Sequence, residues 1–164
     1  MSNIFENGDR LPAAAKVVAI SSYTQFLDKY PVVQKVSSER WDFTITIAGV
    51  FVAVSQLNHE NISDDDKEAL RDRISVAAVE IYPDFVEACE DCRIFVDRTY
   101  EGLAVAEEYR NNKQFLFSDA IGSWIVLNLL DHAPSNEDEA GIIRSIGIFV
   151  VNSFFYWWKK SDQD

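Results

Sequence analysis

Residues 38–57 read SERWDFTITIAGVFVAVSQL, and the way they fold decides the class of the whole protein. Phe43-Thr44-Ile45-Thr46-Ile47 alternates polar and apolar residues and is rich in β-branched side chains, as a half-buried strand would be. The run Ala48–Val54 then drops the alternation. Ser37 or Ser38 offers a hydroxyl to cap a helix start. We expect one long helix, buried on most sides. A hairpin turning at Gly49 is the alternative, and it would make the fold mixed.

Outward from this stretch, the spacing is helical. Towards the N-terminus, Val17, Ile20, Tyr23, Phe26, Leu27 and Tyr30 recur at three- and four-residue steps. Pro12 suits a first turn and Pro31 ends the segment. Residues 1–11 read as a flexible arm. Towards the C-terminus, Ser63 followed by Asp64, Asp65, Asp66 and Glu68 is a capped start with acids at the positive end of the macrodipole. Leu70, Ile74, Ala77, Ala78 and Ile81 give that helix one apolar face, and Pro83 breaks or restarts it. A further helix is expected over 84–109, with Phe85, Cys89, Cys92, Val96 and Leu103 on one side. Phe115–His132 forms the next, and Asn136 before Glu137, Asp138 and Glu139 starts the last, which runs to about Lys160. The expected fold is therefore all-α: a single-domain bundle of five or six helices with mostly antiparallel neighbours, spanning 12–160, with 161–164 as a tail.

Composition agrees. The chain has 164 residues, 48% of them hydrophobic, with only 6 glycines and 4 prolines. That suits one helical domain with a core of its own. The start has acids where a secretory signal has bases, and two cysteines cannot frame a fold, so a reducing cytoplasm is the expected compartment. Two uncharged stretches, 43–58 and 145–158, fall short of the roughly 20 apolar residues of a membrane span. They read as buried central helices.

Charge is the most informative functional signal. The net charge is −12, and residues 63–112 alone carry 14 acids and 6 bases. A focused negative field repels nucleic acid and anionic lipid and attracts basic partners. Glu80, Asp84, Glu87 and Asp91 step by four, three and four, so a helix continuous through Pro83 would align them in one stripe. Asp97 and Glu101 add charge further along the helix. These six residues are the expected partner-binding set, with a solvated face as the simpler alternative.

Other constellations point away from chemistry. Cys89-Glu90-Asp91-Cys92 has redox spacing, but carboxylates beside the sulfurs raise a thiol pKa. Zinc would need two more ligands, and His59 and His132 are distant in sequence. No Glu-x-x-His step suggests a di-iron site, and Asp64–Asp66 lacks the glycine and terminal glutamate of a calcium loop. No phosphate loop or nucleophile elbow occurs. We expect no catalytic residue, no metal and no cofactor.

Phe154-Phe155-Tyr156-Trp157-Trp158 points all round a helix axis, so no single face can bury it. Either another element wraps the helix end, or Tyr156, Trp157 and Trp158 form an exposed aromatic interface.

Size and charge resemble those of small acidic inhibitors and of bacterial immunity proteins, though no motif supports a family. The leading expectation is a non-catalytic domain that neutralises or docks a basic partner: a toxin, a nuclease or a nucleic-acid-binding protein. Self-association through the aromatic run is allowed. Direct nucleic-acid binding and a membrane span are not expected. The alternatives are an enzyme without a recognisable motif, and a bundle holding a small apolar ligand, lined by aromatics such as Trp41, Phe117, Trp124 and Tyr156.

Overall fold

The computed structural model of the chain describes residues 3–160, with the backbone alone at Lys160. The expected tail, 161–164, lies outside the described residues. Six long helices pack as an all-α bundle, with no strand among the described residues. They are α1 (Ile4–Lys29), α2 (Ser38–Ser55), α3 (Asp64–Ile81), α4 (Phe85–Ala104), α5 (Leu116–Leu130) and α6 (Glu137–Phe154). A single turn, α7 (Trp157–Lys160), follows, and short 3₁₀ turns fill the connections.

The deciding stretch is helical. Eleven of the 18 residues of α2 are buried, because α1, α4, α5 and α6 all pack on it. Burial on every side removes the need for a helical periodicity, and that is why the local pattern could pass for a strand. Ser37 caps the helix, its Oγ accepting from the Arg40 N–H. Gly49 makes no turn. A Cβ there would sit 2.6 Å from the Phe154 ring, so the glycine opens a flat seat for an aromatic of α6.

Residues 4–11, expected as part of a flexible arm, are the first turns of α1. Asn3 caps them, its Oδ1 accepting from the Phe5 N–H at 3.0 Å. Pro12 therefore lies inside the helix, where it removes one backbone bond. Packing outweighs that loss. Leu11 is fully buried, and Gly8 lets Leu70 and Ile74 of α3 come close.

The two acidic helix starts form as expected. Ser63 Oγ accepts from the Asp66 N–H, and Asn136 Oδ1 accepts from the Glu139 N–H. Helix α4 stops at Ala104, five residues short of the expected Tyr109. Tyr109 turns inward instead and donates to the buried carboxylate of Asp119 at 2.6 Å. Arg144 of α6 donates to both Asp119 oxygens, and its guanidinium lies 4.2 Å from the Phe115 ring centre. Burial, and then the bond to Asp119, push the Tyr109 phenol up to about 12. This latch fixes the 105–115 connection at the cost of the last helical turn.

Helix α6 buries one face only, through Ile142, Ile146, Gly147, Val150 and Phe154. It is thus not the central helix expected for 145–158. By length and composition alone Glu137–Lys159 could cross a membrane, but a core helix of a soluble protein passes the same test. The aromatic run is wrapped by its own chain. Trp157 Nε1 donates to the Asn7 carbonyl of α1 and Trp158 Nε1 to the Ala53 carbonyl of α2. Trp158 is 2% exposed, so it cannot serve as the interface considered above; Tyr156, at 54%, is the exposed member of the set.

Asp42 is a point of conflict in α2. Its Oδ1 is buried without a hydrogen-bond partner. Burial raises its pKa, with Lys16 pulling it back. The folded protein therefore holds this proton to higher pH than the unfolded chain does. Between the two pKa values the native state binds more protons, so stability falls as pH rises through that window. Asp42→Asn is expected to raise the melting temperature at pH 7 and to flatten the pH dependence just above pH 4. Thermal melts of both proteins from pH 3 to 7 check this.

Candidate binding surface

The acidic stretch folds into a hairpin, α3 and α4 joined by Tyr82–Asp84. Pro83 breaks the helix there, so the stripe is not continuous. Glu80 lies on α3, Asp84 at the start of α4, and Glu87, Asp91, Asp97 and Glu101 on α4. All six are exposed. They do not share one face. Asp91 accepts from the Trp124 indole N–H of α5 at 3.1 Å, while Asp97, about 120° round the axis of α4, lines the groove between α3 and α4. Asp97 is also taken up by Arg93, which pairs with Glu90 as well. That leaves Glu80, Asp84, Glu87 and Glu101 as the members of the set for which no side-chain ion pair or hydrogen bond is formed among the described residues.

The structure adds a feature that the sequence did not reveal. Helices α3 and α4 splay apart and leave an open groove of about 580 Å³ over the C-terminal end of α2. Its apolar surface comes from Phe51 and Val54 of α2, Ile74 of α3, and Phe85, Val86 and Cys89 of α4. Ser55, Asn58, Arg71 and Ser75 form a polar margin, and Glu90, Arg93 and Asp97 the other. Arg71 donates to Asn58 Oδ1 at 2.9 Å and has no carboxylate within ion-pair distance among the described residues. The aromatics expected to line a ligand site are elsewhere. Trp41 and Trp124 are core, and neither Phe117 nor Tyr156 reaches the groove. The groove's own aromatics, Phe51 and Phe85, looked like ordinary core positions.

Cys89 lines the groove and Cys92 is buried; both are free thiols. Burial, and then Glu90, push the Cys89 thiol up to about 11, and burial raises Cys92 as well. A thiol at that pKa carries about one hundredth of the thiolate of one at 9, and the thiolate is the reactive form. Alkylation by iodoacetamide at pH 7.5, followed by mass spectrometry, should be about a hundredfold slower at Cys89 in the native protein than in urea, and slowed at the buried Cys92 as well. Comparable rates would show an ordinary exposed thiol and overturn the upward shift, and faster alkylation in the native protein would show an activated one.

No cluster of three or more metal-ligating side chains occurs among the described residues. His132, at the end of α5, is exposed with Nδ1 2.7 Å from the Ala133 carbonyl. Compared with protein-family models, with curated proteins and with solved structures, the chain shows no significant match.

Proposed function

We propose that this protein is a non-catalytic docking domain that binds and neutralises a basic protein, as inhibitor or immunity proteins do. The observation that carries the proposal is the exposure of all six expected acids on a hairpin region that holds 14 acids against 6 bases. Such a surface steers a cationic partner through long-range attraction, while shorter-range contacts hold the complex. A toxin, a nuclease or another nucleic-acid-binding protein has the complementary charge.

The test begins with a partner recovered by affinity purification and uses surface-binding kinetics. Attraction between exposed charges is screened over roughly 8–10 Å at physiological salt. Association should slow about tenfold between low and physiological salt, with dissociation much less affected. The triple variant Glu80→Lys, Glu87→Lys, Glu101→Lys should slow association by a similar factor. Asp84, Asp91 and Asp97 are left intact because they sit at the α4 start, against Trp124 and against Arg93. Association indifferent to both salt and substitution would reduce the acidic hairpin to a solvated face.

A further inference from the structure

The groove between α3 and α4 is asymmetric along its length. Phe85 and Val86 lie beside the hairpin turn. Arg71 lies ten residues before the end of α3, about 15 Å from that turn at the helical rise, and Arg93 lies at a similar remove along α4. One end is thus apolar, and the other holds two guanidinium groups together with the carboxylates of Glu90 and Asp97. Arg93 is paired with both Glu90 and Asp97, whereas Arg71 spends one bond on Asn58 and meets no carboxylate. A guanidinium has five N–H donors in a planar fork matched to a carboxylate.

We propose that this groove binds a small amphipathic carboxylate, an alkyl-chain acid. Its chain would lie over Phe51, Val54, Ile74 and Phe85, with its carboxylate on Arg71. A volume of about 580 Å³ is in the range of small-molecule sites, which are mostly apolar with a few placed polar groups. Charge complementarity at Arg71 selects the head group: Arg71 meets no carboxylate, while the spare negative charge of the Glu90–Arg93–Asp97 cluster lies on the other margin, so an acid fits on Arg71 where an alcohol gains little. The net charge of −12 does not forbid this, since its long-range repulsion is screened by salt while the contact at Arg71 is short-range.

The experiment titrates decanoate, decanol and decyltrimethylammonium into isotope-labelled protein, following amide and methyl shifts and heats of binding. Decanoate should bind tightest and shift Ile74, Val86 and Val54. Octanoate, shorter by two methylenes, should bind about tenfold more weakly. Arg71→Gln should weaken decanoate about tenfold and leave decanol unchanged, and Arg71→Lys should restore part of the preference. Ser75→Trp, which places an indole at the groove wall, should weaken every chain. Equal affinity for the three head groups, an equal loss of decanol in Arg71→Gln, or an absence of groove shifts at millimolar ligand would overturn the assignment. A preference for the ammonium would overturn it too and turn the groove towards a basic partner. Salt separates this site from the docking face: it should slow partner association and leave decanoate affinity undiminished. Failure of one therefore leaves the other standing.

Discussion

Replacing Gly147 by alanine is expected to cost about 3 kcal/mol or more, at the upper end of what overpacking does to a core. On helix propensity alone the same change would stabilise by roughly 1 kcal/mol, so the two effects differ in sign. Close approach wins here because the obstacle is backbone. A Cβ on Gly147 would lie 1.9 Å from the Ser118 carbonyl oxygen, and one on Gly122 would lie 2.0 Å from that of Ile143. No rotamer can relieve either clash. Helices α5 and α6, the most intimately packed pair in the bundle, would have to separate, and Ile121, Ile125, Ile146 and Val150 would lose contacts that fall off steeply with distance. Gly122→Ala should behave alike. Gly102 and Gly141 are the controls: both are helical, and nothing lies within 4 Å of a Cβ at either. Alanine there should stabilise by roughly 0.5–1 kcal/mol. Urea denaturation of the four variants checks the pattern. If Gly147→Ala proved neutral, the close α5–α6 crossing would be wrong.

That crossing shows where a sequence stops informing. Gly122 and Gly147 sit 25 residues apart, each inside an apolar helix, and nothing local marks them as facing each other. The capped acidic starts at Ser63 and Asn136 were legible because a cap is a local bond between residues three apart. The start of α1 was not. Gly8 and Pro12 are poor interior residues, and Gly8 is placed by Leu70 and Ile74, more than 50 positions away. Tyr109 is similar. Its helix ends early for the sake of Asp119 and Arg144, and the local hint was a lone acid in the apolar run after Phe115.

The candidate site was legible in composition and not in geometry. The concentration of acids in 63–112 is a property of the sequence, and exposure follows, because unpaired carboxylates cost too much to bury. Their alignment depended on whether Pro83 bends or breaks the helix. It breaks it, which separates Glu80 from the acids of α4; Asp91 and Asp97, six residues apart on one helix, lie about 120° apart round its axis in any case. The groove depends on how far α3 and α4 splay, which is set by α1 pulling on α3 and α5 pulling on α4. No pattern within 63–104 encodes that angle.

Trp158→Ala should cost about 3–5 kcal/mol, the usual toll for emptying a buried aromatic site, while Tyr156→Ala two residues away should cost under about 1 kcal/mol. The five aromatics 154–158 look equivalent in the sequence; the surroundings separate them. Trp158 is 2% exposed against 54% for Tyr156. Its indole N–H also meets the Ala53 carbonyl at 2.7 Å, in the last turn of α2, where that oxygen accepts from the Gln56 N–H as well. Removing the ring takes away apolar burial, opens a cavity and strips that carbonyl of a donor. Trp157→Phe should fall between the two, because Trp157 is half-buried and donates to the Asn7 carbonyl. Chemical denaturation followed by circular dichroism ranks the three directly. The expected order is Trp158→Ala, then Trp157→Phe, then Tyr156→Ala, with self-association by ultracentrifugation unchanged in all. If Tyr156→Ala destabilised as much as Trp158→Ala, or if Trp158→Ala were neutral in stability but abolished a dimer, the wrapping of this run by α1 and α2 would fail, and the run would belong to an interface between copies.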